Sequence, residues 1–136
     1  MGNLELTVLS RKECLRLLAS VPVGRVGLSI EALPALLPVN FALLEGDVVF
    51  RTVEGSKFHS AVAGRVLAFE ADGYSPDGRS GWSVLVQGVS RLITEPNELS
   101  LTQQLSVEPW AVDGEADQVV RIASTVVSGR QFQRTP

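Results

Sequence analysis

Cysteine and histidine are nearly absent from this chain: Cys14 and His59 stand alone among 136 residues. A single cysteine excludes an intrachain disulfide framework, and together the two residues exclude a cysteine–histidine zinc cage, so no metal site is expected. Lysine is equally scarce, two against ten arginines, and the balance of 12 basic and 15 acidic residues leaves a net charge of −3. A weakly acidic chain has no global field for capturing nucleic acid or anionic lipid, and aromatics at 6% are too few for a base-stacking surface. No run reaches the roughly 18 apolar residues of a membrane helix. The longest, Ala32 to Leu44, is broken by Pro34, Pro38 and Asn40. Met1 to Thr7 has no basic residue and no apolar stretch of secretory-signal length. These absences lead us to expect a soluble, cytoplasmic protein with no nucleic-acid or membrane partner.

What is present is an ordinary globular composition, 45% hydrophobic and 20% charged. The length fits one domain over 1–136, with a core at 10–129 and a frayed tail at 130–136. Ser10 and Glu13 form a capping box before the stripe Cys14, Leu15, Leu17 and Leu18, so a helix opens the fold. Val26, Leu28 and Ile30 alternate with polar or small residues, a strand with period two. After a break at Glu31 to Leu33, the apolar run Ala35–Leu44 reads as a strand buried on both faces. Glu45-Gly46-Asp47 is a turn into Val48 to Thr52. Ser56 caps a short helix carrying Phe58, Ala61 and Val62, which ends near Gly64.

Val66 to Glu70 is a further strand, Asp72 to Gly81 a loop, and Trp82 to Ile93 a long strand bent at Gly88. Pro96 starts a helix with Leu99, Leu101 and Leu105. Glu95 to Asp117 holds six acidic residues and no basic one, a solvated face or loop. The last strand runs from Val119 to Ile122, extending towards Val127, and Gln131 to Pro136 forms the tail. About six strands joined by short turns favour a mainly β, antiparallel barrel with short helices, because closure removes unpaired edges.

Catalytic patterns are few. No Ser or Asp pattern marks His59 as a base, and it reads as a helix-surface or site-edge residue. Cys14 sits in an apolar stripe, as core. The acidic pairs Glu70/Asp72 and Glu45/Asp47 read as solvated charges. The segment Phe50-Arg51-Thr52-Val53-Glu54-Gly55-Ser56-Lys57 is richer: a strand ends in an arginine and a threonine, and a glycine turn leads to a serine and a lysine at a helix start. Arg51, Thr52, Ser56 and Lys57 can converge on one phosphate. The spacing is neither a Walker loop nor a dinucleotide G-x-G-x-x-G turn. Trp82, at the start of the long strand, can stack on a planar ligand or pack in the core.

In this order, Val23-Gly24-Arg25-Val26-Gly27, Leu37-Pro38-Val39-Asn40-Phe41, Phe50-Arg51-Thr52 with Gly55-Ser56-Lys57, and Gly81-Trp82-Ser83-Val84-Leu85-Val86-Gln87-Gly88 resemble the pyridoxamine 5′-phosphate oxidase-like family. The likeness runs from about Ser10 to Gly129. It implies an antiparallel split β-barrel that binds flavin mononucleotide (FMN) at a homodimer interface and acts as an oxidoreductase. Pro38, Val39, Asn40 and Phe41 would run beside the flavin ring, and Arg51, Thr52, Ser56 and Lys57 would hold its phosphate. Trp82 and Ser83 would come from the neighbouring subunit. The family's true oxidases carry an arginine-rich end after a tryptophan. Ser128-Gly129-Arg130-Gln131-Phe132 has no such tryptophan before it, so pyridoxamine phosphate oxidation is not expected. The alternatives on the same scaffold are a deazaflavin-dependent reductase, for which only Arg51, Lys57 and Arg65 are near in sequence, and a non-catalytic protein binding flavin or haem, with His59 as the sole histidine ligand.

Overall fold

The computed structural model describes residues 2–52, 57–105 and 118–136, with only the backbone described at 57 and 58. Its elements are β1 (Leu4–Val8), α1 (Arg11–Leu18), β2 (Val23–Ile30), β3 (Leu33–Leu44), β4 (Asp47–Thr52), α2 (Lys57–Val62), β5 (Val66–Tyr74), β6 (Ser80–Leu92), α3 (Pro96–Gln103), β7 (Gln118–Ile122) and β8 (Val126–Arg134). The strands pair antiparallel in the order β1-β8-β6-β5-β2-β3-β4-β7, and a β6–β7 pairing closes six of them into a barrel. β8 and β1 extend the sheet outside the closure. The fold is the split barrel expected from sequence. Among the described residues, no helix is long and apolar enough to cross a membrane.

Closure depends on two strands that change partners. β3 pairs with β2 through Asn40 and with β4 from Phe41 onward. β6 pairs with β5 and β8 along most of its length, then with β7 from Ser90. The second change occurs beside Gly88, where the sequence predicts a bend. A Cβ there would lie 1.7 Å from the carbonyl oxygen of Ala123, so only glycine lets the β7–β8 connection pass so close.

The core fills the barrel with Val26, Val39, Phe41, Val48, Phe50, Leu67, Phe69, Val84, Val86, Val120 and Ile122. The rings of Phe41 and Phe69 meet edge to face at 4.7 Å. Helix α1 plugs one side with Cys14 and Leu18, both fully buried. Ser10 caps it as expected, its Oγ accepting from the Glu13 amide at 3.2 Å. The Glu13 carboxylate turns instead to Arg16 at 2.8 Å. α3 starts at Pro96, with the Glu95 carboxylate accepting from the amides of Asn97 and Glu98.

Several expectations are corrected. Gln131 to Pro136 is not a frayed tail: β8 runs to Arg134 and pairs with both β6 and β1. Leu4 to Val8 is a strand because that long-range pairing supplies its hydrogen bonds. The loop expected over Asp72 to Gly81 shrinks to 75–79, since β5 continues to Tyr74 and β6 starts at Ser80. The break at Glu31 to Leu33 is a two-residue hairpin turn, with Glu31 and Ala32 at φ 52° and 66°. Both residues take the left-handed conformation that such turns require. β3 is not buried on both faces, as Leu33 and Leu36 are exposed at its start. The strand expected to reach Val127 is two strands, β7 and β8. Asp47 is no solvated charge: it accepts from Arg121 Nε at 2.8 Å and from the Ser124 amide at 2.9 Å, tying the β3–β4 hairpin to β7. The segment 106–117, most of the predicted acidic stretch, lies outside the described residues.

Candidate functional site

The expected phosphate cluster divides at β4. Successive side chains of a strand leave opposite faces. Thr52 shares the barrel face of Val48 and Phe50 and is 2% exposed. Its Oγ1 lies 2.9 Å from Nδ1 of His59 on α2. Arg51 leaves the other face with Val49, which packs with Leu44, Ile93 and Val119. The Arg51 Nε is buried and has no hydrogen-bond partner among the described residues. Ser56 lies outside the described residues, and Lys57 opens α2 with only its backbone described. The structure therefore joins Thr52 to His59 and leaves Arg51 with an unsatisfied donor nearby in sequence.

A buried N–H without an acceptor costs free energy until a partner arrives. A phosphate oxygen is the partner that a guanidinium fits best. The residues present thus suit an anionic group at the end of β4, and the orphaned Nε is the observation that says so. His59, read from sequence as a site-edge residue, is half-buried and has its Nδ1 engaged by Thr52.

The other predicted residues flank the partner change in β3 and the start of β6. Val39 and Phe41 are buried in the core, whereas Pro38 and Asn40 leave the opposite face. The Phe41 amide donates to the Pro22 carbonyl at 3.1 Å, which pins the strand where it turns. Trp82 and Ser83 also point apart. Trp82 packs against the core cluster and Ser83 is exposed on the outer face. Period-two counting along the strand is the signal that separates each pair in advance.

That outer face is unusual. Strand register places Leu4, Leu6 and Val8 of β1, Val126 of β8, Val89 of β6, Val66 of β5 and Leu36 of β3 on one side. All are exposed, Val8 at 82% and Leu36 at 74%. Exposed apolar side chains gathered on one sheet face mark an association surface.

Within it lies a charged group that sequence reading treated as solvated. Arg25 Nη1 lies 3.4 Å from Glu70 and 3.6 Å from Asp72. Burial and the adjacent Asp72 carboxylate push the Glu70 carboxyl up to about 7, against the pull of Arg25. A carboxyl raised in the fold is stabilising while protonated, fully so below its ordinary value near 4.5, and that contribution is lost as pH rises towards 7. Glu70 is 35% exposed, so solvent reduces the effect. Glu70→Gln, which stays neutral, is expected to flatten the decline in melting temperature from pH 4.5 to 7. Parallel melting curves for wild type and variant across that range would refute this assignment.

The family profile described as pyridoxamine 5′-phosphate oxidase matches residues 10–131. An uncharacterised protein of Mycobacterium tuberculosis is 41% identical, across 97% of this chain and 91% of its own. The solved structure of a FAD-binding protein from Mycobacterium smegmatis superposes with a TM-score of 0.81 at 34% identity, covering 93% of this chain and 98% of that one. A FAD- and haem-binding protein from the same organism shares the fold, with a TM-score of 0.69 at 16% identity, over 91% of this chain and 71% of that one.

Proposed function

The chain belongs to the pyridoxamine 5′-phosphate oxidase family, and from that premise we propose that it is a flavin-dependent oxidoreductase working as a homodimer. The observation that carries this reading is the buried Nε of Arg51 at the end of β4, which has no partner among the described residues. In this reading Arg51 donates to the phosphate of the FMN moiety, and the Thr52 hydroxyl, oriented by His59, assists from the barrel side. Ser56 and Lys57 complete the phosphate contacts. Pro38, Val39, Asn40 and Phe41 border the ring, and Trp82 and Ser83 reach it from the second subunit. The FAD-binding relative at 34% identity supports a flavin, as mononucleotide or dinucleotide.

The bound flavin supplies the electron-transfer chemistry. The protein's own task is then to bind, orient and exclude water. The exposed apolar face supports the dimer, because a second copy presents the same patch about a two-fold axis. The haem version would rest on His59, the one histidine of the chain, whose Nδ1 meets Thr52.

The test is to titrate cofactor-free protein with FMN, FAD, a deazaflavin coenzyme and haem, and to sediment the same sample. We expect saturable quenching of flavin fluorescence and a dimer. Binding of none of the four would remove the cofactor assignment, and a monomer at micromolar concentration would remove the shared site.

A further inference from the structure

The sheet ends on an edge. Among the described strands, β1 alone has a single neighbour, β8, whereas β7 at the other end of the order is closed onto β6. All five residues of β1 are exposed. An edge strand presents unpaired N–H and C=O groups, which proteins commonly blunt with lysine, proline or a bulge. Leu4-Glu5-Leu6-Thr7-Val8 has no lysine and no proline, and its five register pairs with β8 run without interruption.

Hydrogen bonds at the two ends of this ladder fix the direction of each backbone group. The Leu9 amide donates to the Gly129 carbonyl at 3.0 Å, and the Thr135 amide donates to the Asn3 carbonyl at 2.9 Å. Both pairs continue the register in which Leu4 faces Arg134 and Val8 faces Arg130. Bonded and non-bonded pairs alternate along an antiparallel ladder. Asn3, Glu5, Thr7 and Leu9 therefore turn their backbone groups to β8, and Leu4, Leu6 and Val8 turn theirs to the open edge.

These three residues define a partner. When a second β1 is laid antiparallel with Leu6 opposite its own counterpart, Leu4 falls opposite Val8 at both ends. Every outward amide and carbonyl of the three residues then meets one from the other copy. In the same register Glu5 faces Thr7, so the one charge of the strand never meets itself. The side chains of Leu4, Leu6 and Val8, at 48%, 63% and 82% exposed, form apolar cross-strand pairs on one face. An unrelated extended peptide could match the backbone, but it has no reason to match the charge and the apolar positions as well.

We propose that two copies of this chain join by antiparallel pairing of their β1 strands about a two-fold axis at Leu6, which makes one sheet continuous across both molecules. The contact uses the edge of the sheet, so it is separate from the face-to-face homodimer above and independent of the flavin reading. It involves one short strand from each copy, so the association is weak and grows with concentration.

The test reads the register. Glu5→Cys and Thr7→Cys proteins are oxidised separately and as an equimolar mixture. Opposed residues of a non-bonded pair lie about 4.5 Å apart at Cα, within disulfide reach. A disulfide-linked dimer is expected to form at least about tenfold faster in the mixture than in either protein alone. The native Cys14 is fully buried and stays silent. Face-to-face association does not give this result, because Glu5 and Thr7 leave the face opposite Leu4, Leu6 and Val8. Leu6→Pro removes the outward amide and leaves every β1–β8 hydrogen bond in place. It deletes two intermolecular bonds and is expected to weaken the concentration-dependent step in sedimentation about thirtyfold, while thermal melts confirm that the variant folds. Cross-linking at equal rates in the mixture and the separate proteins, a wild-type mass that does not rise with concentration, or an unchanged Leu6→Pro association would overturn the proposal. A homodimer that persists in any of these cases leaves the reading above standing.

Discussion

Gly88→Ala is expected to destabilise the protein by about 3 kcal/mol, the upper end for overpacking a close contact. The added methyl would sit 1.7 Å from the Ala123 carbonyl oxygen and 2.8 Å from its carbon. Both are backbone atoms, so no side-chain rotation relieves the clash. Nor can Ala123 step aside cheaply. Its amide donates to the Val89 carbonyl at 3.1 Å, and its carbonyl accepts from the Thr125 amide at 2.9 Å. Moving it would break the corner at which β6 changes from one partner to the other, and that corner closes the barrel. For a domain of this size the loss corresponds to a fall of about 10 °C in melting temperature. Gly27→Ala is the control, because its new methyl would meet Leu36 and Ala68 side-chain atoms at 3.4 and 3.5 Å. Chemical denaturation of both variants decides the matter. A Gly88→Ala protein within about 0.5 kcal/mol of wild type would mean that the corner is not built on this contact.

Arg51→Ala is expected to weaken flavin binding by about 2 kcal/mol, roughly thirtyfold, the range for losing a charge-assisted hydrogen bond. The same substitution should barely change the melting temperature of the cofactor-free protein. The Nε is buried without a partner among the described residues, so its deletion removes a desolvated donor along with some packing. The two effects separate a ligand-binding role from a structural one. Added flavin stabilises the native state in proportion to affinity, so the flavin-induced rise in melting temperature should shrink in the variant. Arg51→Lys keeps the charge but not the planar fork, and should fall between. Wild-type affinity in Arg51→Ala would place the phosphate elsewhere.

Much of this architecture is legible in local patterns. The Ser10 cap, the Glu45-Gly46 turn, the Pro96 helix start and the bend at Gly88 each rest on residues within a few positions of one another. The order of these signals along the chain also identifies the family and its split barrel. The strand ends were harder to read. Leu4 to Val8 and Gln131 to Arg134 are short, half-polar segments with no self-contained signal. They become strands only because Leu4 pairs with Arg134 and Val8 with Arg130.

The sites divide in the same way. The sequence by itself determined which residue types stand near the end of β4, and its period of two already separates Arg51 from Thr52 and Trp82 from Ser83. Only the tertiary structure decided that Thr52 meets His59, that the Arg51 Nε is buried without a partner among the described residues, and that Arg65 and Glu31 line one cleft. It alone placed Arg25 across from Glu70 and raised that carboxyl. The physical reason is range. Capping, turn chemistry and side-chain alternation act between neighbours in the chain. Burial, desolvation and cross-strand pairing depend on residues tens of positions apart, and these appear only when the barrel closes.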